Sequence, residues 1–402
     1  MALFDFMRQP KTDVRSELDK LSGTIAEAIG LRNIELPMPK EQKGFDWVLY
    51  GPNNQFPIDI LEYRNSSAIH DSIIESKTSL IAGNGFLFAE TREESMKFIV
   101  ENWRQIPFWR KLDKVFWQVT RDQETFGYSC FEVIYSMDRT RIADINWIDA
   151  SRIASGKKDE FDQIKEYYYS DNWSNTRQYP PRKIEAFDPN GEALRQLVFI
   201  KYEDNNMDYY ALPNYYSALR WIKADALMAE YNLAAINQGF SPSMIFKFYK
   251  KPTPDERRMN AEAIKAQHGG AKNAGKAIIL YSDGKELAPD VDTIDATNID
   301  ARLLQVAEQI TQQIITAHRC HPQLLGIQTP GKLGYSSELI QSWEIFNNMV
   351  IKPERKLILD HFREVLVYNG VAKVEIEPLT PINIEVAQQP QVSLSINKNN
   401  EI

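Results

Sequence analysis

Between Ile299 and Ile314 apolar residues recur at Ile299, Leu303, Val306, Ile310 and Ile314. These are the three- and four-residue steps of a helix with one buried stripe. Asn298 reads as its N-cap, Asp300 sits in the positive first turn, and His318 and Arg319 suit the negative end. Pro322 ends the pattern and holds His321 extended. At ~1.5 Å per residue the stretch from Ile299 to Ala317 is a rod of roughly 28 Å. A glycine-rich loop comes next, Gly326 to Tyr335. A second helical pattern starts near Ser337 and runs through Leu339, Trp343, Phe346 and Val350 to Leu366. Pro353 falls inside it and predicts a kink or restart.

The same reading upstream predicts another rod over 213–239, with Pro213 in its first turn and Gly239 at its stop. Between the rods the pattern switches to a strand (Met244–Tyr249), a helix (Asp255–Gln267) and a strand (Ala277–Tyr281). That is a small module inserted at the tip of a helix pair. Nearer the N-terminus, one helix is expected from Ile58 to Ile81, stopped by Gly83-Asn84-Gly85. Another covers 93–123, with Trp103, Phe108, Trp109, Phe116 and Trp117 read as core. Strands are expected at Gly127–Tyr135 and Ile142–Ile148, joined across Met137-Asp138-Arg139, then at Ile164–Tyr169 and Leu197–Tyr202. Residues 170–195 read as connections. Residues 1–44 read as a loosely ordered arm that lies on a neighbour, and the end from Gln388 as a frayed tail. Tyr215, Tyr216, Trp221 and Tyr231 are candidates for apolar area on the outside of the first rod.

Composition narrows the class. The chain has 402 residues, 43% hydrophobic and 25% charged, as in ordinary globular proteins. Its net charge of −8 lacks the basic footprint of a groove-binding nucleic-acid protein, but does not exclude a chain that surrounds DNA. The two cysteines imply no disulfide framework. No apolar run is long enough for a membrane span, and the start is not a signal peptide.

Specific residues then carry a resemblance. Tyr50-Gly51-Pro52 with Phe56-Pro57, Ala211-Leu212-Pro213 with Tyr215, Asn237-Gln238-Gly239-Phe240, and above all Ala317-His318-Arg319 before Leu324-Leu325-Gly326 are similar to a family pattern. The chain resembles the tailed-bacteriophage portal proteins, of the HK97- and PBSX-like type, over most of its length. It departs from them in having Cys320-His321 before Pro322, where Val-Pro is more usual. The resemblance implies a mixed α/β (α+β) portal fold and a homo-oligomeric, typically dodecameric, ring at one capsid vertex of a virion assembled in the host cytoplasm. Double-stranded DNA would pass through its channel without sequence specificity. Residues 45–212 and 338–370 would be the wing, 213–239 and 299–325 the stem helices, 240–298 the clip, 326–337 the tunnel loop, and 371–402 a short crown-like tail. The implied partners are the capsid protein and scaffold, the large terminase and a head–tail adaptor, with no cofactor and no membrane.

The candidate sites divide among loop, clip and stem. The tunnel loop offers Thr329, Gly331, Lys332, Leu333, Gly334 and Tyr335 to DNA. It nearly spells a phosphate-binding loop, but Leu333 stands where Ser or Thr must bind magnesium, and the loop comes after a helix rather than a strand. Sequence-independent phosphate contact by Lys332 is the better reading. Residues 241–276 hold eight basic and three acidic residues, and 283–308 seven acidic and two basic. As solvated surface these runs are ordinary. On the ring reading Lys247, Lys250, Lys251, Arg257, Arg258 and Lys265 make a basic clip face. Asp292, Asp295, Asp300 and Glu308 make an acidic channel wall that favours sliding. His318, Cys320 and His321 invite a metal reading, which lacks further ligands in the sequence. No catalytic arrangement stands out. The alternatives are a nucleotide-using enzyme built on residues 326–332 and another ring-shaped connector or adaptor.

Overall fold

The computed structural model describes residues 37–88, 107–238, 245–248, 278–281, 296–325 and 336–379 except Ala372, with scattered positions between 93 and 101 and between 253 and 259. The chain divides into two units, 1–37 and 38–402, and all of the helices and strands named below belong to the second.

In chain order the elements are strands β1 (Lys40–Glu41) and β2 (Trp47–Leu49), helices α1 (Gln55–Ser66) and α2 (Ala68–Ala82), strand β3 (Phe86–Leu87) and helix α3 (Pro107–Phe126). Six strands come after them: β4 (Tyr128–Tyr135), β5 (Ile142–Trp147), β6 (Ile153–Gly156), β7 (Glu166–Tyr169), β8 (Arg182–Ala186) and β9 (Arg195–Lys201). Then come α4 (Leu219–Gln238), β10 (Ile245–Phe248), β11 (Ile278–Tyr281), α5 (Ala296–Ala317), α6 (Ser336–Phe346), α7 (Lys352–Tyr368) and β12 (Glu375–Ile376).

The main sheet has eight strands in the order β1-β2-β6-β7-β8-β9-β4-β5. Strand β4 lies between β9 and β5 and runs antiparallel to both. On one face Phe131, Val133, Val198, Ile200 and Ile145 pack with Phe116 and Val119 of α3, Ile81 of α2 and Ile358 and Phe362 of α7. On the other face Tyr128 stacks on Phe199, and Tyr50 stacks on Tyr210. Cover on both faces explains why β4 reads as a nearly continuous buried run rather than an alternating one.

The outer edge of β5 is blunted by side chains. The Asn369 carboxamide accepts from the Ile142 N–H and donates to the Ile142 carbonyl, and the Asp144 carboxylate accepts from the Ile145 N–H. An unpaired edge invites strand addition, and these contacts occupy it. No described helix is long and apolar enough to cross a membrane.

Several expectations need correcting. The helix expected over 58–81 is two helices, because Ser67 is extended (φ −121°, ψ 108°) and its hydroxyl caps the His70 N–H at 3.3 Å. The same hydroxyl reaches Asp225 of α4 at 2.7 Å. Residues 170–195, read as connections, contain β8, whose ends carry charge on exposed positions and hide the strand pattern. Asn298 lies inside α5, which starts at Ala296. Tyr215, expected on an outer face, is buried, and α4 proper starts only at Leu219 after a 3-10 turn.

Pro353 does disturb the third rod, through a π-helical stretch at Asn347–Ile351. There the Lys352 N–H bonds to the Asn347 carbonyl, five residues back. A proline ring clashes with the carbonyl four residues before it, and one wide turn relieves the clash. The strands between the rods do pair: β10 and β11 are parallel neighbours, with Ile245 opposite Ile278.

Candidate functional site: the polar junction of the long helices

Helix α5 stops at Arg319, three residues before the proline that the sequence pattern points to. The His318 N–H makes the last regular bond, to the Ile314 carbonyl at 3.2 Å. Arg319 then turns left-handed (φ 55°). Its N–H meets the Thr316 carbonyl at 2.9 Å, and the Cys320 N–H meets the Ile315 carbonyl at 3.2 Å. This is a Schellman stop with arginine where glycine is usual, at a cost of roughly 1–2 kcal/mol. Pro322 merely opens the 3-10 turn Pro322–Leu325 beyond it.

The stop delivers His318 into a buried pocket. Its Nε2 lies 2.9 Å from Nδ1 of His70, on α2. Tyr215 stacks over His318 with ring centroids 4.9 Å apart and meets His70 edge-on at 4.3 Å. The Tyr215 hydroxyl donates to the Thr125 carbonyl at 2.5 Å. Arg64 of α1 donates to Thr125 Oγ1 (3.0 Å) and Asp71 (2.7 Å), and pairs with Glu75. Burial, with the Arg64 cation adding to it, pushes His70 down to about 3. Burial, with His70 and Lys77 adding, holds His318 well below the usual imidazole range. Both rings are therefore neutral, one donating its N–H and the other accepting it.

A second polar layer adjoins the first. Lys77 of α2 forms an ion pair with Glu124 of α3, and both side chains are almost wholly buried. Glu354, at the start of α7, accepts from the Tyr202 hydroxyl at 2.6 Å and from Asn214 at 2.8 Å. Burial first and Glu124 second raise its carboxyl above the usual range, while Lys77 and Arg319 oppose the rise.

Ends of α1, α2, α3, α5 and α7 and the entry to α4 thus meet in one cluster of polar groups. Such a cluster is costly to leave half-made, so it fixes one geometry for the helices that enter it. Any tilt of α5 must break the His318–His70 bond or carry α2 along. The arrangement holds no nucleophile–base pair; its chemistry is that of a joint.

Of the expected site residues, Thr329, Gly331, Lys332, Leu333, Gly334, Tyr335, Lys250, Lys251, Arg257, Lys265, Asp292 and Asp295 lie outside the described residues, as does Trp103. Lys247 is in β10, Arg258 and Glu308 are exposed, and Asp300 is in the first turns of α5. The metal reading treated His318 as one of a local trio; the fold instead gives it to His70, 248 positions away in sequence. The junction's other members were missed, although one sign was legible. His70 and Lys77 fall among Ile73, Ile74 and Ile81, so polar groups sit within an apolar helical stripe.

The sequence matches the phage portal protein family model over residues 79–381. No curated protein sequence matches it. Solved structures share the fold, among them two from gene transfer agent particles. One is the neck of an empty gene transfer agent particle computed with C6 symmetry, 16% identical over 83% of this chain and 85% of that one, with a TM-score of 0.51. The other is the virion of a native gene transfer agent particle, 13% identical over 92% and 90%, with a TM-score of 0.50. The chain is a mixed α/β protein with the portal fold, and it belongs to the phage portal protein family.

Proposed function

We propose that this chain is the subunit of a closed ring, dodecameric as the family resemblance implies, set at one capsid vertex of a phage-like particle. DNA enters and leaves through its channel. On this reading 45–212 and 338–370 form the wing, 213–239 and 299–325 the stem, 240–298 the clip and 326–337 the tunnel loop. The clip docks the large terminase during packaging and a head–tail adaptor afterwards, and the capsid protein and scaffold surround the wing.

The observation that carries this reading is the apolar surface on the α4–α5 pair. Leu227, Tyr231 and Leu233 of α4 are exposed, the last at 60%, and so are Leu304 (63%) and Val306 of α5. Several exposed large apolar side chains on one pair of helices mark surface that another chain covers. The origin of the two similar structures in a particle neck and a virion supports the same reading. Glu308 lies on α5 among these residues, and an acidic channel wall would keep phosphate moving. Lys332 from every copy would make weak, salt-sensitive contacts that read no sequence.

The test is the length of DNA packaged in particles carrying altered rings. Deleting Thr329–Tyr335 should leave rings intact and yield short or poorly retained genomes, with Lys332→Ala giving a smaller effect of the same kind. Full-length, stably held DNA in the deletion particles would remove the tunnel loop from the account.

A further inference from the structure

Helix α3 sorts its charges by side. Its acids are all engaged by neighbouring elements. Asp113 Oδ1 accepts the Phe86 N–H of β3 at 2.9 Å, Asp122 Oδ2 accepts from Trp147 Nε1 at 2.8 Å, and Glu124 pairs with Lys77. Lys111, on the flank, donates to Asp144 at 2.7 Å and to Asn146 at 2.8 Å. The remaining cations, Arg110, Lys114 and Arg121, share the outward side with Trp117, at steps of four, three and four residues. That spacing is one straight ridge, ~16 Å long. Arg110 and Lys114 are exposed, and Trp117 and Arg121 are half-buried. Trp117 packs against the main core, and the Arg121 guanidinium lies over its ring, 5.5 Å from the centroid.

The ridge lacks counter-ions. Among the described residues Arg110, Lys114 and Arg121 have no carboxylate partner, since the ion pairs of α3 are those of Lys111 with Asp144 and Glu124 with Lys77. Arg110 and Lys114 stand one turn apart, where like charges weaken a helix and opposite charges support it. On α7 the usual arrangement is present: Lys356 has Asp360 one turn on, at 2.9 Å. An uncompensated basic row on a chain of net charge −8 is a local reversal of sign, and complementary charge has to come from elsewhere.

We propose that the outer ridge of α3 binds an acidic segment of a different protein. The segment presents carboxylates to Arg110, Lys114 and Arg121 and an apolar side chain to Trp117. Tryptophan and arginine together are the composition of protein-binding surface. Three cations on a chain of negative net charge make a poor footprint for a nucleic acid. A second copy of this chain fits no better, because the cores of permanent self-interfaces are depleted in charge. Exposed ion pairs of this kind are screened by salt, so the partner is one that comes and goes. This inference goes beyond the ring and does not depend on it.

The experiment places photo-crosslinking benzoylphenylalanine at Gln118, beside the ridge, in the full chain within the cells that make it, and identifies the products by mass spectrometry. The expected result is one dominant peptide from a different protein, with two or more Asp or Glu residues close to the attachment point. Its yield should fall roughly tenfold or more in Arg110→Glu/Lys114→Glu. It should recover when those acids of the partner are changed to lysine, which also shows that the reversed chain is folded. A cross-link to DNA or to a second copy of this chain would overturn the proposal. So would a partner peptide without acids, a yield indifferent to the charge reversal, or the absence of any cross-linked product.

Discussion

At the residue scale, the decisive groups are polar and buried. Lys77 and Glu124 form an ion pair whose two side chains are almost wholly buried. Lys77→Met should cost about 3–5 kcal/mol, because it strands Glu124, whereas Lys77→Met with Glu124→Leu should recover most of that loss. Chemical denaturation of the three proteins measures this, and a double variant as unstable as the single one would contradict it. The histidine pair gives an acid signature. Both folded pKa values lie below the ordinary value of 6.5, that of His70 at about 3. Above pH 6.5 both rings are neutral whether folded or not, and the junction is at full strength. As pH falls from there towards 3, the unfolded chain binds protons that the folded chain refuses, so stability declines. The slope approaches ~1.4 kcal/mol per pH unit per histidine. Melting curves from pH 7 to acid should therefore fall less steeply for His70→Asn/His318→Gln than for the natural chain. Parallel curves would show that the pair does not titrate in this way.

At the scale of elements, the sequence showed what periodicity can show. The stripes of α3 and the α6–α7 rod, the β4–β5 hairpin and the pairing of β10 with β11 were legible from apolar periodicity, whereas the stripe expected on α5 buries Ile310 and Ile314 but leaves Val306 exposed. What stayed hidden depends on single contacts across the fold. Ser67 breaks a continuous stripe by capping α2 and reaching Asp225, and Arg319 stops α5 before Pro322 is reached. His318 looked like a local ligand because its partner, His70, is brought up only by the packing of α2 against α5. Close approach adds a test at the α3–β4 turn. Gly127 has φ 82°, and a Cβ there would lie 2.3 Å from the Leu212 carbonyl, just before the chain enters α4. Gly127→Ala should destabilise the protein by at least about 2 kcal/mol, from the strained backbone and the clash together. An unchanged Tm would mean that the α4 entry can shift freely, and that the junction does not fix it.

At the scale of the whole molecule, a sheet with both faces covered and a polar joint make a rigid base from which the α4–α5 pair departs. The exposed apolar side chains of that pair have no cover among the described residues. Stable assemblies of permanent partners bury about 2,000 Å² or more, and helix faces of this kind supply such area. The central claim is that copies of the chain close into a ring. The most direct measurement is the mass and image of the purified protein across a concentration series, by native mass spectrometry and electron microscopy. The account predicts closed rings with a central hole, at a fixed multiple of 46.4 kDa, and their collapse to single chains in Leu227→Glu/Leu304→Glu. A natural chain that stays at 46.4 kDa at every concentration, with no ring in any image, would contradict it.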